Sequence, residues 1–405
     1  MELMIKQGYK QTEVGLIPED WNIKLIGDLT SKIGDGIHST PSYNSSGNYY
    51  FINGNNLKNG EIIIDESTKK VDFNEFKKHQ RDIDELTILL SINGTIGNVA
   101  FYKNEKVVLG KSAAYINLKK QVSKEYVFYK LKTKSVLLFF QNNLTGSTIK
   151  NLGLGTIRNT PISIPPTLTE QKAIATALSD VDALISSLEQ TITKKKAIKQ
   201  GAMQQLLIPP HKGGKRLPGF EGEWEYLPIE LVADCLDNLR VPLNGEQRNK
   251  MNGDIPYCGA NGVVDYVDDY VIDDDIILMA EDGGYFDEYK TRHIAYRMIG
   301  KCWVNNHAHI LKAKKHINQG YLFYTLVHKN ILDYINGGTR AKLNKSEMNK
   351  IESWFPSSQN EQKAIAQILS DMDVEITQLE TKKEKYQAIK QGMMQELLTG
   401  KTRLI

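Results

Sequence analysis

One stretch of this chain occurs twice. Residues 170–207 read EQKAIATALSDVDALISSLEQTITKKKAIKQGAMQQLL, and residues 361–398 read EQKAIAQILSDMDVEITQLETKKEKYQAIKQGMMQELL. Aligned without a gap at an offset of 191, the two copies are identical at 23 of 38 positions. The sequences that precede the copies are dissimilar. The chain is therefore predicted to carry the same long element twice, each time beside a different globular head.

Both copies have the apolar spacing of a coiled-coil helix. Apolar residues recur at alternating intervals of four and three, which places them on one stripe of a helix. We call this stripe the hydrophobic seam; it consists of Ile174, Leu178, Val181, Ile185, Leu188 and Ile192 in the first copy and of Ile365, Leu369, Met372, Ile376 and Leu379 in the second. At about 1.5 Å per residue each helix would span roughly 57 Å. The spacing also suits an amphipathic helix packed on a globular core, and that alternative stays open.

Residues that start and stop helices mark the ends of both copies. A hydroxyl residue three positions before a glutamate forms a capping box, in which side chains satisfy the free amides of the first turn. The chain has this pattern at Thr167 with Glu170 and at Ser358 with Glu361. Pro209 and Pro210 are expected to end the first helix, and Gly400 the second.

Chain order predicts how these parts are arranged. We expect a first head at 1–168, a first helix at 169–208, a second head at 209–358 and a second helix with its tail at 359–405. The second head opens with a short linker at 209–222 that is rich in Pro and Gly. The second head therefore begins near the far end of the first helix, and the second helix has to run back. The helices are predicted to be antiparallel, with a head at each end and a pseudo-two-fold axis between them.

The two heads share short landmarks but little other sequence. GLIPEDW at 15–21 resembles GFEGEW at 219–224, ILLSINGTIG at 88–97 resembles ILMAEDGGYF at 277–286, YVFY at 126–129 matches YLFY at 321–324, and TGSTIKNL at 145–152 resembles GGTRAKL at 337–343. Short β-rich segments separated by Gly and Asn turns lie between them. The predicted fold class is α+β, with two mixed, mostly β heads separated by a long antiparallel two-helix coiled coil.

Composition excludes several classes of protein. No apolar run approaches the roughly 18 residues of a membrane span, and MELMIKQGYKQ at the start lacks an apolar signal core. Cys235, Cys258 and Cys302 are scattered, which favours a reducing cytoplasm over a disulfide framework.

Residues 1–169 carry a net charge of +5 (21 basic, 16 acidic) and residues 209–358 carry −3 (18 basic, 21 acidic). A nucleic-acid-binding role would therefore share its phosphate contacts with a partner.

Together these motifs resemble the specificity subunits of type I restriction–modification enzymes. The resemblance covers the whole chain and is carried by Gly15, Pro18 and Trp21, by IPPTLTEQKAIA at 164–175, and by IKQGAMQQLL at 198–207 with IKQGMMQELL at 389–398. It implies that each head is a target recognition domain reading one half of a split, asymmetric sequence, and that the coiled coil sets the gap. It also implies double-stranded DNA as ligand, two docked DNA methyltransferase subunits, and restriction–translocase subunits that join the assembled complex.

Side chains that read base edges in the major groove are expected in the loops of the heads. The candidates are Lys111, Ser112, Ser147, Thr148 and Lys150 in the first head and Arg292, Asn305, Asn306, His307, Arg340 and Lys342 in the second. The landmarks place Lys111 and Ser112 opposite Asn305 and Asn306, and Thr148 opposite Thr339. For any one of these residues, a solvated turn or a local backbone cap is an equally good interpretation.

Catalytic and metal sites have weak support in the sequence. IPPT at 164–167 and IPPH at 208–211 lack the asparagine of the amino-methyltransferase motif. Asp275, Glu288 and Lys290 have a nuclease-like spacing that recurs by chance, and Cys302, His307 and His309 lack a fourth zinc ligand. The prediction is a non-catalytic, cytoplasmic specificity subunit without cofactor or metal. The alternatives are a structural adaptor whose heads bind proteins and a stand-alone nuclease.

Overall fold

The computed structural model describes residues 7–148, 150–337 and 341–404. The chain divides into two compact units, one formed by residues up to Leu188 together with 382–405 and the other by Glu189–Thr381. Each unit therefore contains one head and a part of both long helices. Of the helices in the described ranges, none is long and apolar enough to cross a membrane.

Short strands make up most of the first head. They are β1 Tyr9–Thr12, β2 Gly15–Pro18, β3 Asn22–Leu25, β4 Thr30–Asp35, β5 Tyr49–Ile52, β6 Leu57–Lys58, β7 Glu61–Ile62, β8 Lys70–Val71, β9 Thr87–Ser91, β10 Val99–Phe101, β11 Val107–Leu109, β12 Ala113–Leu118 and β13 Pro161–Ile164. Its helices are α1 Phe73–His79, α2 Lys124–Leu131, α3 Lys134–Asn142 and α4 Leu154–Arg158, and the first long helix is α5 Leu168–Leu206. The main sheet has the order β10-β9-β12-β4, and a smaller sheet has the order β11-β5-β8. Every residue of β9 and β12 is buried, so this pair forms the centre of the head.

The second head is a single larger sheet with additions. Its strands are β14 Trp224–Pro228, β15 Ala233–Cys235, β16 Ile255–Gly259, β17 Gly262–Val267, β18 Ile272–Ala280, β19 Ala295–Val304, β20 Ala308–Ala313 and β21 Glu352–Pro356. The helices are α6 Ile229–Val232, α7 Gly245–Lys250, α8 Gln319–Leu326 and α9 Lys345–Met348, and the second long helix is α10 Gln359–Leu397. Short 3-10 turns lie at Ile26–Leu29, Gly54–Asn56, Pro210–Lys212, Asp237–Leu239, Phe286–Glu288 and Leu332–Tyr334. The sheet order is β15-β20-β18-β19-β16-β17, and the predicted α+β class is confirmed.

Each head is anchored by the same tryptophan–tyrosine contact. The ring centroids of Trp21 and Tyr126 lie 6.5 Å apart, and those of Trp224 and Tyr321 lie at the same 6.5 Å. Each tyrosine hydroxyl donates to a backbone carbonyl of the last strand of its head at 2.9 Å. The sequence landmarks that contain these residues are therefore core positions of one repeated local frame.

The long helices begin with half of the predicted capping box. The Glu170 amide donates to the Thr167 hydroxyl at 3.2 Å, and the Glu361 amide makes the equivalent bond at 3.4 Å. The two carboxylates, however, are bound by arginines: Arg403 holds Glu170, and Arg216 holds Glu361. The expected return of these carboxylates to the cap backbone was wrong, because a buried carboxylate gains more from a two-point arginine pair.

Gly400 ends the second long helix, as predicted. Its φ is +72°, a left-handed conformation that glycine favours after a helix. A Cβ at this position would lie 2.5 Å from the Cγ of Pro18. The chain after this helix therefore lies against the first strands of the first head.

Within each unit, the helix segments run antiparallel. In the second unit Lys196 pairs with Glu380 at 2.7 Å and Lys199 pairs with Asp373 at 2.5 Å. The residue number therefore increases along one helix while that of its partner decreases along the other. In the first unit the start of α5 packs against the end of α10 in one core. This is the helix direction that the short linker predicted.

The first turns of the hydrophobic seam pack on the heads. Ile174 and Leu178 belong to the core of the first head, and Ile365 and Leu369 belong to the core of the second. The later seam residues that are buried are Ile185, Leu188, Ile192 and Ile376, whereas Val181, Met372 and Leu379 are half-buried. The first turns of each helix thus follow the amphipathic alternative, whereas the later buried seam residues belong to neither head core.

Candidate nucleic-acid interface

In the first head, Lys111 and Ser112 occupy the turn between β11 and β12. The preceding Gly110 lies so close to Asn53 that a Cβ there would meet the Asn53 Oδ1 atom at 2.2 Å, so the turn requires glycine. Lys111 is exposed, and no carboxylate of the described residues pairs with it. Its ammonium group is available to a phosphate oxygen or to a guanine edge.

Ser112 stabilises the turn itself. Its Oγ atom accepts a hydrogen bond from the Gly54 amide at 2.9 Å and donates to the Asn53 Oδ1 atom at 3.0 Å. A contact with a base would have to replace these bonds. Of the two predicted residues in this turn, Lys111 has the exposed side chain, whereas Ser112 is engaged within the head.

A second exposed loop carries Ser147, Thr148 and Lys150. Thr145 and Asn151 close this loop through reciprocal backbone hydrogen bonds of 2.9 and 2.8 Å. The closure fixes the two ends of the segment that carries these candidates.

Ile92, the residue after β9, connects the two candidate loops. The Ile92 amide donates to the Ser112 carbonyl at 3.0 Å, and the Leu152 amide donates to the Ile92 carbonyl at 2.9 Å. The structure therefore brings both groups of first-head candidates to the same edge of the head.

The second head repeats these backbone bonds with different side chains. Glu281 follows β18, and its amide donates to the His307 carbonyl at 2.9 Å. The Leu343 amide donates to the Glu281 carbonyl at 2.7 Å. These are the bonds that Ile92 makes in the first head, so the turn before β20 and the segment before Leu343 correspond to the two candidate loops of the first head.

The repeated bonds match Lys111 with Asn306 and Ser112 with His307. The predicted alignment of these turns was wrong by one residue, because the landmarks align the strands and leave the dissimilar turns between them unconstrained. Arg340 and Thr339 lie outside the described residues.

Asn306 is the exposed member of the second turn. The Asn305 side chain is buried, and its Oδ1 atom accepts from the His307 amide at 2.8 Å. The Nδ1 atom of His307 lies 2.7 Å from a carboxylate oxygen of Asp282. The exposed carboxamide of Asn306 can make two hydrogen bonds to the edge of one adenine. The Asn305 side chain instead stabilises the turn through its bond from the His307 amide.

A network of charged side chains supports this turn. Arg240 binds Glu281 and also donates to the carbonyls of Asn306 and Ala308, each at 3.4 Å. Lys342 pairs with the other carboxylate oxygen of Glu281 at 2.9 Å, so this predicted reader is engaged within the head. Burial opposes ionisation of Glu281, but the bonds from Lys342 and Arg240 outweigh it and lower the pKa of Glu281. Sequence reasoning missed Arg240, which lies 66 residues before Asn306 and has no local signal.

His309 is a buried imidazolium behind the turn. Its Nδ1 atom lies 2.7 Å from a carboxylate oxygen of Asp237, and its Nε2 atom lies 2.8 Å from the Leu343 carbonyl. Because both partners only accept hydrogen bonds, both ring nitrogens donate. Burial lowers the pKa of His309, but its hydrogen bonds, first among them the one to Asp237, outweigh burial and raise the pKa to about 9. Burial likewise opposes ionisation of Asp237, yet the bond from His309 prevails and lowers its pKa to about 2.

This imidazolium also argues against a metal centre. Across the described ranges, Cys235, Asp237 and His309 are the one group whose potential ligand atoms lie within 4.8 Å of one another. A doubly donating imidazolium has no lone pair for a metal ion. Cys302, which the sequence offered as a ligand with His309, lies in a separate apolar cluster.

Arginines occupy the carboxylates of the nuclease alternative. Arg297 binds the two carboxylate oxygens of Asp275 at 2.7 and 2.5 Å. Arg292 lies 3.5 Å from Glu288 and rests 3.6 Å from the centroid of the Tyr285 ring. Different arginines thus pair with the two carboxylates.

Comparison with known proteins shows similarity along the whole chain. The family described as the type I restriction modification DNA specificity domain matches residues 18–200 and 221–391. The putative type I restriction enzyme MjaX specificity subunit of Methanocaldococcus jannaschii is 25% identical, over 98% of this chain and 97% of that protein. A putative type I restriction enzyme specificity subunit of Haemophilus influenzae is 36% identical, over 35% of each chain.

Two solved structures share the fold. The S subunit of a type I restriction–modification system from M. genitalium has a TM-score of 0.66 and 17% identity, over 98% of both chains. A chain from a structure on complex assembly and conformational transition of the type I system has a TM-score of 0.52 and 13% identity, over 95% of this chain and 99% of that one. The family match covers most of the sequence, and the chain therefore belongs to the type I restriction–modification DNA specificity family.

Proposed function

We propose that this chain is the non-catalytic subunit that selects the DNA sequence for a type I restriction–modification complex. Each head reads one half of a split, asymmetric target in double-stranded DNA. The observation that carries the proposal is the pair of turns held by the same backbone bonds in both heads, one exposing Lys111 and the other exposing Asn306. The same backbone arrangement with a different exposed side chain in each head is suited to the recognition of two different half-sites.

The exposed residues of the two turns favour different bases. An ammonium group donates to the O6 and N7 acceptors of guanine, whereas a carboxamide both donates to and accepts from adenine. The net charge of −3 on residues 209–358 provides little attraction for phosphate, so a partner subunit supplies much of the backbone contact near the second head.

The long helices act as the spacer between half-sites. Each helix is continuous over 39 residues. One heptad can be inserted after Gln190 and another after Thr381. Both partners of every ion pair described above then stay in the same unit, so no pair is broken. Such a change adds about 10 Å and should widen the gap by about three base pairs, while both half-sites stay the same.

Partner subunits supply the chemistry. Two DNA methyltransferase subunits dock on this chain, and restriction–translocase subunits join the assembled complex. The duplicated helix sequence supports two copies of one docking partner, because it offers the same side chains twice.

Modified-base sequencing tests this function. DNA from cells that express the chain with its methyltransferase should carry one split methylated motif that is absent when the methyltransferase is expressed alone. Lys111→Ala should alter one half of the motif and Asn306→Ala the other, whereas Lys120→Ala, an exposed control in the first head, should alter neither. An unchanged motif in both turn variants would remove the turns as readers. A soluble complex that methylates no motif would favour the protein-binding adaptor.

A further inference from the structure

The small sheet of the first head carries an exposed cluster of aromatic rings. Tyr49 and Phe51 alternate along β5 and so lie on one face of the sheet. The Phe73 ring lies 6.1 Å from that of Tyr49, and the Tyr43 ring lies 5.8 Å from that of Phe51. Phe73 is 57% exposed and Tyr43 is 42% exposed. These two outer rings are therefore partly open to solvent, and Phe73 is the more open of the two.

Lysines accompany the rings. The Lys69 Nζ atom lies 4.3 Å from the Tyr43 ring centroid, and the Lys106 Nζ atom lies 5.9 Å from that of Tyr49. Both lysines are exposed, and neither pairs with a carboxylate within the described ranges. The neighbouring Glu75 is only 12% exposed and already accepts from the Ser42 amide while it contacts His79. We call Tyr43, Tyr49, Phe51, Phe73, Lys69 and Lys106 the aromatic–lysine surface.

The second head shows that the sheet does not require this chemistry. There β16 is parallel to β19 and antiparallel to β17, as β5 is parallel to β11 and antiparallel to β8. The exposed rings there are Tyr266 and Tyr270, and Asp268 and Asp269 lie between them in the sequence. Tyr270 also has a cation nearby, since the Lys301 Nζ atom lies 4.5 Å from its ring centroid. The small sheet of the second head therefore has one ring with a lysine and adds carboxylates that the aromatic–lysine surface lacks.

We propose that the aromatic–lysine surface binds unpaired bases of single-stranded DNA. Bases in a duplex expose only their edges in the grooves, whereas an unpaired base offers a face that stacks on an aromatic ring. The lysines attract the phosphates between such bases. The surface adjoins the Lys111 turn, because a Cβ at Gly110 would meet the Phe51 ring at 2.7 Å. This site goes beyond duplex reading and does not depend on it.

Fluorescence anisotropy of the full-length chain with a labelled oligothymidylate of about 12 nucleotides tests the proposal. Phe73→Ala should weaken binding by at least about fivefold, the loss expected for one stacked base. Lys69→Ala with Lys106→Ala should weaken binding and reduce the salt dependence by roughly one phosphate contact or more. Tyr266→Ala, an equally exposed ring in the acidic surroundings of the second head, and Lys120→Ala should leave the affinity unchanged.

Several outcomes would overturn the site. The first is an affinity for the oligonucleotide that Phe73→Ala does not change. The second is a duplex of the same length that binds as tightly and loses as much affinity in the same variants. The third is displacement of the oligonucleotide by polyglutamate at the same charge concentration. Because Phe73 is exposed, its replacement leaves the fold intact, and thermal unfolding checks this. Methylation of the split motif by the same variants reports separately on sequence selection, so either function can fail without the other.

Discussion

Asp182 and Asp373, which lie 191 residues apart, hold equivalent places in the two units. Each accepts a hydrogen bond at 2.8 Å from a tyrosine of its own head, Tyr129 or Tyr324. Each also pairs at 2.5 Å with a lysine of the other long helix. Burial, together with the aspartate, raises the pKa of each tyrosine, so the hydroxyl remains a donor. One carboxylate in each unit thus ties the head to both helices.

Asp182→Asn should therefore destabilise the first unit. The variant loses the ion pair with Lys390 and weakens the bond from Tyr129, which together should cost about 1–2 kcal/mol. Urea unfolding measures the loss. Asp180→Asn is the matched control, because Asp180 is exposed on the same helix; it should change stability by less than about 0.5 kcal/mol. Equal effects of the two variants would contradict a structural role for Asp182.

The buried Lys130 should make stability rise with pH. Its Nζ atom donates to the Ser163 hydroxyl and to the Leu398 carbonyl, both at 2.6 Å, and burial lowers its pKa from 10.5 to about 7. Between these two values the unfolded chain binds a proton that the folded chain does not, so stability increases with pH by up to about 1.4 kcal/mol per unit. Relative to Lys130→Met, the wild-type chain should gain stability from pH 7 to pH 10 in chemical unfolding. A constant difference would mean that Lys130 keeps its proton.

His309 should act in the opposite direction in the second unit. Its folded pKa of about 9 lies above the ordinary 6.5, so its contribution is complete below about pH 6.5 and is lost as the pH rises through 9. The stability advantage of the wild-type chain over His309→Gln should shrink across this interval. His316→Gln, at an exposed site, provides the control. Nitrogen-detected NMR should find both ring nitrogens of His309 protonated at neutral pH, and a single protonated nitrogen would refute the imidazolium.

Ser112 and Lys111 should separate stability from sequence selection. Ser112→Ala removes the bonds to Gly54 and Asn53 and should cost about 1–3 kcal/mol. Lys111→Ala touches no such bond and should leave stability within about 0.5 kcal/mol, yet it should alter the methylated half-site. Thermal unfolding and modified-base sequencing of both variants measure the two effects. A destabilised Lys111→Ala with an unchanged motif would reverse these assignments.

Local patterns in the sequence were sufficient to place the repeated elements. The seam at Leu178 and Leu369 predicted helices, since a helix needs only a regular spacing of apolar residues to expose one stripe for burial. Trp21 and Trp224 predicted equivalent positions in the two heads, and Gly400 predicted the end of a helix through its backbone freedom. These features depend on short-range periodicity or on single residues with unusual backbone preferences.

The availability of the predicted reading residues was decided by contacts between distant segments. In the sequence, Lys111 and Asn306 cannot be told apart from Ser112, Asn305 and Lys342, because all five are polar residues predicted to lie in loops. In the structure, the last three are engaged by partners within their heads. The pairing of Glu170 with Arg403 joins residues 233 positions apart and replaced the expected local cap.

The sequence by itself therefore determined the duplicated helices, the strand-rich heads and the family, because these follow from periodicity and from motifs read along the chain. Only the tertiary structure decided which polar side chains face solvent and which are neutralised. Charge and hydrogen-bonding capacity are set by burial and by partners such as Arg240 and Asp237, which folding brings from remote segments to the turns that they support.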